Sequence, residues 1–425
     1  MTADRSGKIL GISRTVFTLG IVSFLTDISS EMLVPIVPQF LRFALGTPGQ
    51  MIGLIEGIAE STASVLRVYA GYLADRFGRP KLLTVIGYGL SAVSKPFFLL
   101  ATSWSYVLGI RFADRFGKGI RSAPRDVLIA DATEEAVRGR AFGFHRAMDT
   151  AGATFGPLII VLLLFYLGEG FIVAPSEKQR SLYHMIFIAA TVPAVLGWLV
   201  LAIFVPERKR EEHAVSKPEL KLSALDRQFK IFLGIVTLFA IGNSSDAFLV
   251  LRATSPPSKG GVGMPFVTFL GVYVAFNALS AVVAARSGIL SDRIGRKPVI
   301  VIGWLVFSAV YFAIARVSTQ TGIWVWFVIY GIYYGMTEGM LRAMAIDLAP
   351  PSLRGTAVGA YFTFSGVALL PASLIAGFLW DNVSPAAPFY YGAITSLAAA
   401  LLLGTLVKPG RTAEDVTSRN SRDPI

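Results

Sequence analysis

The chain has 425 residues, 54% of them hydrophobic and 16% charged, with a formal net charge of +12. A soluble protein of this length would carry more charge, so the composition excludes an ordinary globular protein and indicates a membrane protein with several spans. The sequence has no cysteine and three scattered histidines, which excludes disulfides, thiolate metal sites and a histidine cluster. No phosphate-binding loop or nucleophile–base signature suggests an enzyme, and we expect neither a cofactor nor a metal.

Apolar stretches close to the ~20 residues needed to cross a bilayer recur along the chain. Because hydrocarbon offers no partners for free backbone groups, we predict that these stretches are helices. We expect the basic N-terminal stretch to stay attached, because the segment after it is longer than a signal-peptide core and lacks a small-residue cleavage site. The twelve predicted spans are 15–41, 51–73, 82–102, 104–130, 141–167, 182–205, 229–252, 265–287, 298–316, 323–348, 356–379 and 387–407.

A polar segment separates the sixth span from the seventh and divides the chain into two comparable halves. The expected units are an N-terminal six-helix half (1–205), a central cytoplasmic linker (206–228), a C-terminal six-helix half (229–408) and a polar tail (409–425). Lysine and arginine are concentrated in alternate loops, so the positive-inside rule predicts that both termini are cytoplasmic. This topology, together with contact with anionic lipid, explains the positive net charge without nucleic acid.

One charged sequence occurs twice, at matching places in the two halves. Residues 71–81 read GYLADRFGRPK and residues 288–297 read GILSDRIGRK, and each copy joins two apolar segments. The shared form G-x-L-x-D-R-x-G-R resembles the loop between helices 2 and 3, and its repeat between helices 8 and 9, in transporters of the major facilitator superfamily. The resemblance covers nearly the whole chain. It implies an all-α membrane protein with twelve transmembrane helices in two pseudo-symmetric six-helix bundles, and a substrate site between them near the bilayer midplane.

The repeated loop predicts a gate on the cytoplasmic side. Asp75 and Asp292 can approach the N-terminal ends of neighbouring helices, where the helix dipole favours an anion. The arginines can pair with acids such as Asp126, Asp131 or Asp347. Such contacts form only when the cytoplasmic side is closed, so they would hold the outward-open state, as the resemblance also implies. A purely topological role for the arginines is the alternative. The predicted gating residues are Gly71, Asp75, Arg76, Gly78, Arg79, Asp126, Gly288, Asp292, Arg293, Gly295 and Arg296.

The fifth span contains a small-residue motif that bears on the direction of transport. Residues 152–157 read GATFGP, which resembles the G-x-x-x-G-P core of the motif associated with antiporters in the superfamily. The two glycines that usually follow are missing, since residues 158–161 continue the helix as LIIV. The motif favours antiport over symport. The alternative is that the small residues let two helices pack closely and the proline kinks one of them.

Two acidic residues of the first span are candidate proton carriers. Ionisable side chains at membrane depth are costly, so they face the protein interior or an aqueous cavity. Asp27 and Glu31 lie four residues apart on one helix face, with Asp27 near the midplane, and carboxylates this close resist simultaneous ionisation. Glu60 of the second span is a third candidate. A structural ion pair with a cation of the fourth span is the alternative role for the acids of the first span.

The fourth span carries a stripe of five cations on one helix face, at intervals of three or four residues. Its members are Arg111, Arg115, Lys118, Arg121 and Arg125. In the superfamily pattern R-x-x-x-G-x-G, Arg111 falls on the basic position and Gly117 on the second glycine, whereas Arg115 replaces the first. The stripe either neutralises the acids of the first two spans as an internal network, which the number of acids favours, or binds an anionic substrate.

The second half carries fewer charges, so we expect ion coupling in the first half and substrate shape and hydrogen bonding in the second. Glu338 and Arg342, one turn apart, are expected to pair with each other. The spacing of His145, Arg146 and Asp149 permits a local pair. The predicted substrate-cavity residues are Glu56, Arg111, Asp114, Arg115, Lys118, Asn243, Asp246 and Glu338.

The sequence therefore predicts a secondary active transporter, most simply one that exports a small molecule in exchange for protons by alternating access. One alternative is an organic-anion or phosphate-ester carrier that uses the basic stripe. Another is a divalent-metal exporter that uses Asp27 and Glu31 as oxygen ligands, with Asn243 and Asp246 opposite. The expected setting is a monomer in the cell (inner) membrane, with lipid, protons and a small-molecule substrate as its partners.

Overall fold

The structure is a computed structural model of the chain. It describes residues 12–77, 79–134, 137–166, 177–207, 225–350 and 353–407. Within these ranges, the side chains of 71–77, 138–139, 177–180 and 292 are not described.

The described residues form thirteen α-helices that make twelve spans, because α7 and α8 together make the seventh. Their bounds are α1 (Arg14–Gln39), α2 (Gly49–Phe77), α3 (Pro80–Ser94), α4 (Trp104–Asp131), α5 (Arg138–Tyr166), α6 (Glu177–Phe204), α7 (Arg227–Gly242), α8 (Ala247–Thr254), α9 (Phe266–Ile294), α10 (Arg296–Arg316), α11 (Gln320–Asp347), α12 (Arg354–Asn382) and α13 (Ala387–Leu406). These spans follow the predicted ones closely. A short 3₁₀ helix, Lys95–Leu100, continues α3.

Most of the helices are long enough and apolar enough to cross a membrane. In the part of the chain that the structure describes, nine helical segments meet both criteria. The other three, α2, α4 and α11, have 29, 28 and 28 residues and are therefore equally long. The charges of α2 and α4 lower the mean hydropathy of these two helices.

The seventh span is interrupted, whereas the sequence predicts one continuous helix. α7 ends at Gly242 and α8 begins at Ala247, so the four residues Asn243–Asp246 separate them. The Asn243 backbone leaves the helical region, with φ −94° and ψ 81°, and the Ser245 hydroxyl accepts a hydrogen bond from the Ala247 N–H at 3.2 Å. Asn, Ser and Asp side chains compete with the helix for backbone hydrogen bonds, which explains a break at four such residues in succession.

The repeated charged sequence is mostly helical, whereas the sequence predicts a turn. Residues 288–294 form the last turns of α9, and residues 71–77 form the last turns of α2. In the second copy the chain reverses at a single residue, Gly295, whose φ of 85° is favourable only for glycine. α10 starts at the next residue. The charged positions of both copies therefore lie mostly at helix ends and not in a loose loop.

The two halves approach most closely where α2 packs against α12, and a second contact joins α5 to α9. Gly49, Gly53 and Gly57 recur every fourth residue along the contact face of α2. A Cβ atom added to Gly53 would lie 2.1 Å from the carbonyl oxygen of Ser373, and one added to Gly57 would lie 3.0 Å from the Cα atom of Leu370. Small residues at this spacing let the helix backbones touch.

We call the side of the bundle on which α1 begins and α13 ends the terminal side, and the other side the distal side. On the distal side the halves are bonded together: the Asp381 carboxylate accepts hydrogen bonds from the N–H groups of Gly49 at 3.0 Å and Gln50 at 2.8 Å. Nearer the terminal side, Arg146 and Glu338 pair between the halves at 3.0 Å with side chains 66% and 56% exposed. The distal side is therefore closed by hydrogen bonds between the halves, whereas the pair nearer the terminal side is exposed.

Candidate functional site

The two acids of α1 lie against the small-residue motif of α5. A Cβ atom added to Gly152 would lie 2.9 Å from Cβ of Asp27, and one added to Gly156 would lie 3.1 Å from Cβ of Glu31. α5 continues beyond Pro157 to Tyr166 as one helix. The motif therefore forms the surface on which both predicted proton carriers rest, and a larger residue at either glycine would displace one of them.

Asp27 and Glu31 have different partners. The Glu31 carboxylate accepts a hydrogen bond at 3.0 Å from the hydroxyl of Tyr273, which belongs to α9 in the other half. In the described part of the chain Asp27 forms no ion pair, although Asp149 of α5 and Lys118 of α4 act on it electrostatically. One acid thus bridges the halves through a neutral hydroxyl, and its neighbour has no direct counter-ion.

Three of the five cations of α4 pair with carboxylates. Arg111 pairs with Glu56 of α2, and both side chains are buried. Arg115, also buried, lies 3.3 Å from Glu60 and 3.8 Å from Asp114. Farther along the helix, the paired residues are Arg125 and Asp126, at 3.2 Å. These pairs favour an internal network over a site that binds an anion.

The remaining two cations of the stripe are held differently. Arg121 is buried, lies 4.3 Å above the ring of Tyr88 and donates a hydrogen bond to the Ser91 hydroxyl at 2.7 Å. Lys118 forms no ion pair with any described residue, but it acts electrostatically on Asp27, Glu31 and Glu60. Lys118 is therefore the cation of the stripe that remains free to balance charge in the centre.

Another buried cation, Lys95, is absent from the sequence-based prediction. Lys95 starts the 3₁₀ helix after α3 and is 1% exposed. Its ammonium donates hydrogen bonds to the hydroxyls of Ser29 and, at 3.4 Å, Ser30, both on α1 between the two acids. The rule that singles out Asp27 applies equally to a lysine inside the predicted span 82–102, so the signal was present in the sequence.

In the second half, the predicted polar residues at the break of the seventh span are held by tyrosines of α11. The Asp246 carboxylate accepts a hydrogen bond from Tyr330 at 3.0 Å, and the Asn243 amide donates one to the Tyr333 hydroxyl at 3.2 Å. These rings belong to an aromatic cluster that the prediction missed. Its members are Tyr273, Phe276, Phe307, Tyr311, Tyr330, Tyr333 and Tyr334. The i, i+3, i+4 spacing of Tyr330, Tyr333 and Tyr334 is the sequence signal for it.

One predicted pair is wrong. Glu338 pairs across the halves with Arg146, as described above, and not with Arg342. The guanidinium of Arg342 instead lies 6.0 Å from the centre of the Phe362 ring on α12. Partners on neighbouring helices therefore outcompete the local one-turn pair. The other local pair exists, with His145 Nδ1 3.5 Å from the Asp149 carboxylate.

The structure describes the predicted gating residues of the second copy more fully than those of the first. Arg296 pairs with Asp347 of α11, one of the predicted acid partners, and donates to the Ala343 carbonyl at 2.8 Å. This pair joins two helices of the second half, so it does not depend on closure between the halves. Arg79 and Arg293 are exposed. Gly78 and the side chains at positions 71, 75, 76 and 292 lie outside the described part of the chain, so the gate of the first copy stays a prediction.

Comparison with known proteins supports the same fold. The family model of the Major Facilitator Superfamily matches residues 19–373 and 263–424. An uncharacterised MFS-type transporter of Methanocaldococcus jannaschii is 35% identical over 394 residues, which cover 92% of this chain and 94% of that relative. The inner membrane transport protein YajR of Escherichia coli is 26% identical over 406 residues, which cover 94% of this chain and 84% of YajR.

Solved structures show the same arrangement of helices. The nucleoside transporter NupG superposes with a TM-score of 0.74 at 15% identity, covering 93% of this chain and 99% of that one. The xylose transporter XylE of Escherichia coli superposes with a TM-score of 0.71 at 14% identity, covering 95% and 98%. The fold is therefore twelve transmembrane helices in two six-helix bundles. With the whole-chain family match, the chain belongs to the major facilitator superfamily and is a membrane transporter, not an enzyme.

Proposed function

We propose that this protein exports a small molecule in exchange for protons, with Asp27 and Glu31 as the proton carriers. The observation that carries the proposal is the hydrogen bond from Tyr273 to Glu31, which joins the two halves at the acid pair. A hydrogen bond to an ionised carboxylate is stronger than one between neutral groups. Protonation of Glu31 therefore weakens a contact between the halves, and this links proton uptake to their relative movement.

The proposed direction of transport is supported by the small-residue motif of α5. Its antiporter-like glycines pack against the acid pair of α1. In this proposal a proton and a substrate compete for the part of the bundle around that contact. In this scheme the substrate enters from the terminal side, which the positive-inside rule assigns to the cytoplasm. Release on the distal side requires the bonds between Asp381 and the start of α2 to break. Protonation of the acids from outside then displaces the substrate and resets the transporter.

The paired charges have a mechanical role in this proposal. The Arg111–Glu56 and Arg115–Glu60 pairs tie α4 to α2, so these helices move together when the halves rock. Lys118 and Lys95 balance the negative charge of the centre when the acids lose their protons. We further propose that the moving units are the halves 1–205 and 229–408, joined by the linker 206–228, in a monomer of the cell membrane with both termini cytoplasmic.

The test uses purified protein in liposomes that contain a pH-sensitive dye, challenged with cations, lipophilic drugs, sugars and organic anions. We expect Asp27→Asn to fold and bind substrate but to lose substrate-dependent proton flux, because an amide cannot exchange a proton. Asp226→Asn is the control, since it removes an exposed acid at the start of α7. Normal proton flux in Asp27→Asn would show that Asp27 is structural.

The bond that carries the proposal has its own test. Tyr273→Phe removes only the hydroxyl that donates to Glu31 and keeps the ring in the aromatic cluster. We expect the number of protons moved per substrate to fall while substrate binding remains. If the ratio stays at the wild-type value, the bond is not part of the coupling.

A second candidate function is the transport of an organic anion or phosphate ester. The observation that favours it is Lys118, which has no ion pair with a described residue and lies within electrostatic reach of the acids. In that case Lys118→Gln should abolish transport of the anion while proton movement persists. Loss of proton movement in Lys118→Gln, with anions inactive as substrates, would assign Lys118 to coupling.

A further inference from the structure

A shallow cavity lies on the outer surface of α9 near its terminal-side end. It has a volume of about 220 Å³ and is lined by Arg286, Ile289, Leu290 and Arg293. The two arginines lie two helical turns apart, with the apolar residues between them. Ile289 and Leu290 are 61% and 39% exposed. The cavity therefore combines two cations with an uncovered apolar floor.

This face of α9 points away from the centre of the bundle. Tyr273 marks the inner side of the helix, because its hydroxyl reaches Glu31 of α1. At about 3.6 residues per turn, positions 286, 289 and 293 lie roughly opposite Tyr273 on the helix. Val282, one turn before Arg286, is also exposed and continues the same face. In a bilayer the cavity consequently faces lipid.

Arg286 is placed where lipid headgroups give way to hydrocarbon. It precedes the end of α9, at Ile294, by about two turns, or about 12 Å. A helix of 29 residues is about 44 Å long, whereas the hydrocarbon core is about 30 Å thick, so Arg286 lies near its boundary. Side chains lean toward the N-terminus of their helix, which here directs Arg286 into the bilayer.

A cation at this depth needs an anion. Charged side chains that face lipid are costly, and the usual remedy is an ion pair inside the protein. Neither Arg286 nor Arg293 forms an ion pair with a described side chain, and no described acidic side chain lines the cavity. An anionic group of the bilayer would supply the counter-charge that a lipid-facing cation needs.

We propose that Arg286 and Arg293 bind the phosphate of an anionic phospholipid, whose acyl chains lie along Ile289, Leu290 and Val282. Guanidinium groups match the geometry of phosphate and bind it through paired hydrogen bonds. A zwitterionic headgroup would bring its own ammonium toward the two arginines, so the site prefers a headgroup with net negative charge. This inference concerns the outer surface and holds whatever substrate the central site carries.

Native mass spectrometry of the purified full chain tests the proposal, with added phosphatidylglycerol or phosphatidylcholine. The wild-type protein should bind phosphatidylglycerol more tightly than phosphatidylcholine. Arg286→Gln should weaken the first binding event of phosphatidylglycerol by about tenfold, the factor for one lost charge-assisted hydrogen bond. Arg227→Gln is the matched control, because it removes one exposed charge at the start of α7, outside the cavity. It should bind as the wild type does.

A second variant and a competitor complete the experiment. Arg286→Lys retains the charge but not the paired hydrogen bonds, so its affinity for phosphatidylglycerol should lie between those of the wild type and Arg286→Gln. It also replaces Arg286→Gln if that variant fails to fold. Millimolar inorganic phosphate should leave the lipid bound. The proposal is overturned by unchanged phosphatidylglycerol affinity in both Arg286 variants, by equal binding of the two lipids, or by displacement of the lipid with inorganic phosphate.

Discussion

The buried pair between α2 and α4 allows a quantitative test of the charge network. Arg111 and Glu56 are 6% and 7% exposed, so Arg111→Gln leaves a carboxylate that is cut off from water. Removing one partner of a buried ion pair costs about 3–5 kcal/mol. On the scale of soluble domains of 150–250 residues, this corresponds to a fall in Tm of about 6–20 °C. Glu56→Gln should cost a similar amount, because it strands the guanidinium.

The double variant Arg111→Gln with Glu56→Gln should recover most of the loss, because no charge is then stranded. Glu56 Oε1 and Arg111 Nε have no hydrogen-bond partner among the described residues, so the native pair does not fully repay the removal of its charges from water. The assay is thermal unfolding in detergent, without ligand. A double variant whose loss equals the sum of the two single losses would refute the reasoning.

The exposed pair that joins α5 to α11 is the internal control. The same substitutions at Arg146 and Glu338 should cost about 0–1 kcal/mol, since both side chains are largely in water. If Arg146→Gln lowers Tm as much as Arg111→Gln does, burial does not set the cost of these pairs. If neither Arg146→Gln nor Arg111→Gln changes Tm, the Arg111–Glu56 pair contributes nothing to the stability of the N-terminal half.

Two further predictions concern the contact between the halves. Gly53→Ala should lower Tm and slow transport, because the added Cβ would lie 2.1 Å from the Ser373 carbonyl oxygen, whereas Gly109→Ala, where no neighbour lies within 4 Å, should leave both unchanged. Asp381→Asn should weaken distal closure by roughly 0.3–1 kcal/mol, because the start of α2 loses the negative charge that the helix dipole favours, whereas an amide oxygen still accepts from the Gly49 N–H. Single cysteines placed near Asp381 should then react faster with an impermeant thiol reagent from the distal side, and an unchanged rate would contradict this role.

The predicted spans agree with the structure because the bilayer permits few alternatives. A segment that crosses hydrocarbon must be helical, long and mostly apolar, and these requirements can be read from any window of the sequence. The sequence favours a network between the fourth span and the acids of the first two spans for a related reason, because a buried charge needs a partner. The pair of Arg115 with Glu60 belongs to that network. The charge of a residue and its approximate depth in the membrane can both be read from the sequence.

Contacts that depend on how helices rotate and bend were not predictable in the same way. The break at Asn243–Asp246 depends on whether four polar side chains bond to backbone or to other helices, and their spacing fits a continuous helix equally well. The partner of Glu338 is Arg146, which is far away in sequence and belongs to the other half. The bond from Tyr273 to Glu31 likewise joins residues whose proximity only the assembled bundle establishes.

The partners of the buried acids distinguish the acids that hold the structure together from the acids that can exchange protons. A proton added to Glu56 or Glu60 would leave a buried arginine without its counter-ion, which is costly. A proton added to Glu31 breaks no direct ion pair among the described residues, because the hydrogen-bond partner of Glu31 is the neutral hydroxyl of Tyr273. Proton exchange should therefore concentrate on α1 and spare α2. Glu31 also lies at a contact between the halves, through its bond with Tyr273. A change in its charge therefore acts directly on the movement of the halves that transports the substrate.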